Sequence, residues 1–85
     1  MNEIGASICG APDGSILFGP WSTGTPTGVS VTVGCPSGAD FLGVYHTHPG
    51  GIAVPSAQDI KAGLQVGAKY LCINADGDLR CWRKS

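Results

Sequence analysis

Residues 41–48 place the tightest constraint on the fold, because they form an almost unbroken apolar and aromatic run that ends in two histidines. A run of this kind is typical of a strand that is buried on both faces. A Pro-Gly-Gly sequence follows at once, and these residues end a strand. We therefore expect a central strand whose carboxyl end carries His46 and His48.

Further strands are expected on the amino-terminal side of this run. Residues 4–10 and 15–19 are short apolar runs on either side of a turn cluster at residues 11–14, which predicts a hairpin. Residues 19–28 contain turn formers and one large apolar side chain, Trp21, so we expect an exposed, mobile loop. The valines that alternate with polar residues in the next segment predict a half-buried strand; they are Val29, Val31 and Val33.

A helix and a second hairpin are expected after the central strand. Ser56 begins a segment with one apolar helical face, formed by Ile60, Gly63, Leu64 and Gly67. Residues 70–73 and 79–82 flank an Asp-Gly pair, which is a strong signal for a two-residue hairpin turn. The expected fold class is α+β, with a mixed, largely antiparallel sheet and one main helix, over a single domain of residues 1–85.

Four cysteines, Cys9, Cys35, Cys72 and Cys81, permit a disulfide framework without requiring one. No two of them form a CxxC pair, so a four-cysteine zinc site has little support. The expected hairpin places Cys72 directly opposite Cys81. Because a bond between directly paired strand residues is geometrically strained, free thiols are slightly favoured there.

Composition narrows the choice of partners. Five Lys and Arg residues against six Asp and Glu residues leave no basic stripe, so nucleic acid is not an expected partner. No apolar run approaches the ~18 residues that cross a bilayer, and the start lacks the pattern of a signal peptide, so no membrane association is expected. The cytoplasm is slightly favoured, with a secreted toxin or phage-associated setting as the alternative. The abrupt start just before a strand is also compatible with a fragment of a longer protein.

The two histidines form the core of a candidate metal site. They stand two residues apart on the expected strand, so both side chains leave the same face, about 6.5 to 7 Å apart. Asp59 follows in the first turn of the expected helix, and the turn-rich segment before it can bring its carboxylate back to the strand end. Zn²⁺ held by two imidazoles and one carboxylate keeps a fourth position open, which is typical of catalytic zinc.

Hydrolysis at such a metal also needs a general base outside the metal's ligands. Apart from Asp59, Glu3 is the one carboxylate that stands at the start of an expected strand and not in a turn. Ser56 stands three residues before Asp59 and is a candidate donor to an oxyanion. Simpler interpretations compete: Ser56 and Asp59 have the spacing of a helix capping box, and a lone HxH pair or a terminal glutamate is more often without such a role.

The joint spacing of these residues resembles a known family. The stretch HTHPGGIAVPSAQD, residues 46–59, is similar to the signature of the JAMM (MPN+) zinc metalloproteases, and EIGASICG, residues 3–10, resembles the strand that holds that family's catalytic glutamate. The resemblance implies a JAMM/MPN-like fold with cytidine-deaminase-like layering, in a minimal bacterial or phage-like form. It also implies one Zn²⁺ per chain on His46, His48 and Asp59, with Glu3 as base and Ser56 stabilising the tetrahedral intermediate.

The expected function is hydrolysis of a peptide or isopeptide bond by a metal-activated water. The substrate would be a peptide or protein, such as a ubiquitin-like protein or another extended tail, and Trp21 in the loop of residues 19–28 is the candidate substrate contact. Two alternatives stay open: a non-catalytic, zinc-stabilised binding or scaffolding module, and a disulfide-stapled domain with incidental histidines. A homodimer through an exposed strand edge is a further expectation.

Overall fold

The computed structural model describes residues 1–84, which form a mixed six-stranded sheet and one helix. The strands in chain order are β1 (Ile4–Gly10), β2 (Ile16–Phe18), β3 (Ser22–Thr23), β4 (Asp40–Thr47), β5 (Tyr70–Ala75) and β6 (Asp78–Arg83). The helix α1 (Ala57–Gln65) lies between β4 and β5 in sequence. The predicted α+β class with a single main helix is confirmed.

The sheet has the order β2-β1-β4-β5-β6, with β3 paired to β1. All neighbouring strands are antiparallel except β4 and β5, which run parallel. Parallel neighbours need a crossover connection, and the segment that contains α1 supplies it. The apolar run of residues 41–48 therefore forms the central strand β4, as predicted, and its carboxyl end faces the start of the helix.

The helix ends where its sequence allows a left-handed residue. Gly67 has a φ of 71°, the amide of Ala68 donates to the Gly63 carbonyl, and the amide of Gly67 donates to the Leu64 carbonyl. This pattern is a Schellman C-cap. Of the predicted inward face only Gly63 is buried, whereas Ile60 and Leu64 are about half exposed, so that prediction is correct only in part.

The predicted strand through the three alternating valines is wrong. Residues 29–34 belong to no strand, and they are held beside β1 by a side chain and not by a sheet ladder. The hydroxyl of Ser7 donates to the carbonyl of Thr32, and the amide of Gly34 donates to Ser7 Oγ. The alternation of valines therefore occurs here in a segment without sheet pairing.

Residues 19–28 are largely exposed, as the sequence predicts, but part of the segment pairs with the sheet. They contain the two-residue strand β3, which pairs with the beginning of β1, and a turn closed by hydrogen bonds between Thr25 and Gly28. The loop is therefore partly built into the sheet.

The cysteines form two disulfides, Cys9–Cys35 and Cys72–Cys81, and no cysteine among residues 1–84 is free. The predicted hairpin is confirmed: Asp76 and Gly77 both have positive φ, and Cys72 pairs directly with Cys81. The preference for free thiols at this pair is wrong, because the sulfur atoms of Cys72 and Cys81 are bonded to each other. Within residues 1–84, no helix is long and apolar enough to cross a membrane.

Candidate metal centre

The carboxyl end of β4 positions the two histidines. His46 is buried in the middle of the sheet, between Gly5 of β1 and Ile73 of β5. His48 lies one residue past β4, where its amide continues the ladder by donating to the Asn74 carbonyl. The two imidazole rings lie 5.1 Å apart and face the same side of the sheet, as the spacing predicts.

The first turn of α1 brings the Asp59 carboxylate to both rings. Asp59 Oδ1 lies 3.5 Å from His46 Nε2, and Asp59 Oδ2 lies 3.2 Å from His48 Nε2. The three predicted ligands therefore converge, with each Nε2 atom facing one carboxylate oxygen. Tetrahedral zinc with bonds of about 2.0 to 2.1 Å would separate neighbouring ligand atoms by about 3.3 Å, and both distances are close to that.

The same aspartate completes a helix capping box. The Asp59 amide donates to Ser56 Oγ at 3.1 Å, and the Ser56 amide donates to Asp59 Oδ2 at 2.9 Å. The capping interpretation is therefore correct and is compatible with a metal site, because the cap fixes the carboxylate that the histidines face. The contact uses Ser56 Oγ as an acceptor and leaves its hydroxyl proton free to be donated elsewhere.

The hydrogen bond on the far side of His48 sets its tautomer. His48 Nδ1 lies 3.0 Å from the carbonyl oxygen of Ile52. Since a carbonyl can only accept, Nδ1 carries the proton, and the neutral ring then presents a lone pair at Nε2 to the Asp59 carboxylate. Two acceptors at 3.2 Å attract each other only when a proton or a cation lies between them, so the chemistry of the donor set fits a metal ion.

Glu3 is buried on the other side of His46. Glu3 Oε1 lies 3.5 Å from His46 Nδ1, which is a buried atom without a hydrogen-bond partner among residues 1–84. One ligand atom each from Glu3, His46 and His48 lies within 4.8 Å of the other two. These residues form a potential metal-binding group, and Glu3 borders the same space as the histidines.

Backbone hydrogen bonds hold Glu3 in place although it stands near the chain start. Its amide donates to the Thr25 carbonyl at 2.9 Å, and its carbonyl accepts from the Gly24 amide at 2.8 Å. The amide of Ile4 donates to Thr47 Oγ1 at 3.0 Å. Glu3 therefore has a fixed backbone and a side chain that is only 8% exposed.

Trp21 lies away from this cluster. Its ring packs against Phe18 at 5.1 Å and against Tyr45 at 5.8 Å. Tyr45 precedes His46 on β4, so the two side chains leave opposite faces of the sheet. The structure does not bring Trp21 to the histidines, and its contact with substrate stays a prediction.

Sequence reasoning did not find the residues that orient the site. Ile52 and Thr25 act through backbone carbonyls, which leave no side-chain signal, and Thr47 acts through a hydroxyl that accepts from the Ile4 amide. Asp76 was assigned only to the hairpin turn, yet its Oδ2 accepts from the Gly50 amide at 3.0 Å and so anchors the loop after His48. The Asp-Gly pair predicts the turn but not this contact, because the Gly50 amide reaches Asp76 only through the tertiary fold.

The fold and the site define a class: a small α+β domain with a histidine and carboxylate cluster at the end of a central strand. The sequence profile of the prokaryotic homologues of the JAB domain matches residues 2–85, and the chain belongs to that family. The crystal structure of a JAB1/MPN domain protein from Archaeoglobus fulgidus is similar, with a TM-score of 0.59 and 25% identity, over 95% of this chain and 69% of that chain. No curated protein matches the chain significantly. The resemblance to the JAMM/MPN family is thus confirmed.

Proposed function

We propose that this protein is a zinc-dependent metallopeptidase that hydrolyses a peptide or isopeptide bond. The observation that carries the proposal is the convergence of His46 Nε2 and His48 Nε2 on the two oxygens of Asp59, at 3.5 and 3.2 Å. In this proposal His46, His48 and Asp59 hold one Zn²⁺. When bound, zinc supplies a Lewis acid that polarises the scissile carbonyl and makes water nucleophilic near neutral pH.

Glu3 is the proposed general base. Its carboxylate offers an oxygen within 4.8 Å of a ring nitrogen of each histidine and is shielded from solvent, so it can take a proton from the attacking water and return it to the leaving amine. Ser56 is the proposed donor to the oxyanion, because its hydroxyl lies beside Asp59 at the helix start and keeps its proton available.

A second function is favoured by one observation: Glu3 lies near enough to the histidines to serve as a fourth protein ligand. Four protein ligands close a zinc site, and closed sites are structural. The protein would then be a zinc-stabilised binding or scaffolding module without turnover. Glu3 is thus the residue that separates the two functions.

The test compares Glu3→Gln with the wild type and with Asp40→Asn, which removes an exposed carboxylate at the start of β4. If Glu3 is the base, Glu3→Gln keeps about one zinc per chain by elemental analysis, and hydrolysis of a peptide pool falls about 10²- to 10⁴-fold. Asp40→Asn should change neither value. If Glu3→Gln instead loses zinc, and the metal-free wild type unfolds, the closed structural site is correct and the peptidase proposal fails.

A further inference from the structure

A cavity of about 230 Å³ adjoins the candidate metal centre, on the face of the sheet that α1 covers. Both His46 and Asp59 line it, so it shares a wall with the proposed site of hydrolysis. Ligand pockets for whole small molecules usually measure about 300 to 1,000 Å³. This cavity is smaller, and its size suits one side chain of a longer ligand.

Most residues that line the cavity are aliphatic, and Ser30 and Gln58 add uncharged polar groups. Val29, Val31 and Val33 form one wall, and they belong to the segment that joins no strand. The alternation of these valines therefore places three branched apolar side chains along one side of the cavity. Val33 is 45% exposed, so apolar surface is available there.

Further aliphatic residues come from the helix and the sheet. Ala62 of α1 and its C-cap residue Val66 line the cavity, and so do Val44 and Leu71, which pair directly on β4 and β5. No lysine or arginine lines the cavity. The ionisable residues of the lining are His46 and Asp59, and the proposal assigns both to zinc, while Ser30 and Gln58 carry no charge. An aliphatic side chain would bury its surface against the valines.

The position of the cavity fixes which part of a substrate reaches it. The scissile carbonyl must come within about 3 to 3.5 Å of the attacking water, which the proposal places beside His46, His48 and Asp59. Successive residues of an extended peptide are about 3.3 Å apart. Because His46 and Asp59 are part of the cavity wall, the side chain that enters belongs to a residue directly beside the scissile amide.

We infer that this cavity is a specificity pocket for a branched aliphatic side chain, valine, isoleucine or leucine, next to the scissile bond. The inference rests on the proposed peptidase function and narrows its substrate class. A tail that ends in consecutive glycines would leave the aliphatic walls uncovered. The preferred substrates are therefore peptides with an aliphatic residue at the cleavage site.

The first measurement is cleavage of a pool of blocked, randomised octapeptides by the zinc-loaded protein, with products identified by mass spectrometry. We expect valine, isoleucine or leucine on one side of the cleaved bond, with kcat/KM at least about tenfold above that for glycine. Cleavage with glycine preferred, or with no preference, would overturn the inference and leave the peptidase function intact.

Binding provides a readout that needs no turnover. The Glu3→Gln variant with labelled methyl groups is titrated with acetyl-Ala-Ala-Val-Ala-Ala-amide and with the same peptide carrying glycine in place of valine. We expect the Val33 and Leu71 methyl signals to shift at about tenfold lower concentration of the valine peptide. Equal responses would contradict the pocket. A clear preference in binding without cleavage by the wild type would support the pocket and remove the peptidase function.

A variant that fills the cavity gives the final test. Ala62→Phe should abolish the preference for valine over glycine in both measurements. Gln65→Phe adds the same bulk to the same helix outside the cavity and should leave the preference unchanged. Circular dichroism establishes that both variants are folded. A valine preference that survives in Ala62→Phe would place the recognition elsewhere.

Discussion

Gly5 occupies the position on β1 that pairs directly with His46. A β-carbon built there would lie 2.7 Å from Val31 Cγ2, 2.9 Å from the Tyr45 carbonyl oxygen and 3.2 Å from His46 Cβ. The Tyr45 carbonyl is part of the backbone of β4 and His46 is a candidate metal ligand. Neither atom can move away from an added β-carbon without a shift of β4. The glycine thus permits the close approach of β1, the valine segment and the candidate ligand.

Gly5→Ala should therefore lower the free energy of unfolding by about 1 to 3 kcal/mol, which is the usual cost of overpacking. It should also weaken zinc binding, because His46 must move away from Asp59. Urea denaturation and zinc titration measure the two effects. Gly28→Ala is the control, since its added β-carbon would have no atom within 4 Å. Equal stability of the two variants would contradict the packing argument.

Single residues differ in how well the sequence predicts their place in the site. His46, His48 and Asp59 were predicted because side-chain ligands at fixed spacings leave a pattern, and the structure brings them together. The hydrogen bonds that hold the Glu3 backbone are not predictable from the sequence. They come from the backbone of Thr25 and Gly24, which lies near Glu3 because β3 pairs with β1. Backbone hydrogen bonds between distant segments depend on the tertiary fold and leave no local signal.

The start of α1 combines two tasks in one element. Ser56 caps the helix through its oxygen, and the proposal also gives its hydroxyl proton a role in hydrolysis. A substitution of Ser56 by alanine removes the capping oxygen and the hydroxyl proton together, so it cannot separate the two roles. Glycine is a tolerable N-cap that costs only a few tenths of a kcal/mol, and it too lacks the hydroxyl.

Ser56→Ala should lower the free energy of unfolding by about 1 kcal/mol, and Ser56→Gly by a few tenths. If the hydroxyl stabilises the oxyanion, kcat falls about 10²- to 10³-fold in both variants alike. Thermal denaturation and peptide hydrolysis give the two readouts. Nearly normal hydrolysis by Ser56→Gly would show that Ser56 serves the helix alone.

Elements were predictable where local pattern and tertiary pairing agree. The central strand predicted from residues 41–48 and the hairpin predicted from Asp76 and Gly77 are both present in the structure. The alternating valines of residues 29–33 predict a strand that does not form, because side chains that line one side of a cavity have the same period of two as a strand. Ser7 and a disulfide hold that segment in place of a ladder, and such contacts with distant parts of the chain are invisible to periodicity.

The whole molecule has a core of small side chains. Ile73 is the largest side chain that is fully buried, followed by Cys9 and Ser7, and many large apolar residues stay exposed. A chain of this size buries only about 60% of its unfolded surface. Covalent links then supply a substantial part of the stability. Disulfides are typical of oxidising compartments, whereas the expected cytoplasmic location stays a prediction.

The two disulfides should contribute unequally to this stability. Cys9–Cys35 spans a separation of 26 residues and Cys72–Cys81 a separation of 9. In the chain-entropy description these loops correspond to about 3.5 and about 2.6 kcal/mol of stabilisation. The longer link also ties the valine segment to β1, so its loss should loosen one wall of the cavity beside His46.

The variant Cys9→Ala with Cys35→Ala should therefore melt about 4 to 8 °C below the variant Cys72→Ala with Cys81→Ala, since the difference is about 1 kcal/mol in a domain of this size. Differential scanning calorimetry measures the melting temperatures of both variants.

The variant without Cys72 and Cys81 is the matched control for the cavity, because Cys72 pairs with Tyr45 on the face opposite the histidines. It should keep the preference for the valine peptide, while the first variant loses it. Equal melting temperatures together with equal peptide preferences would show that neither loop length nor the tether of the valine segment governs this domain.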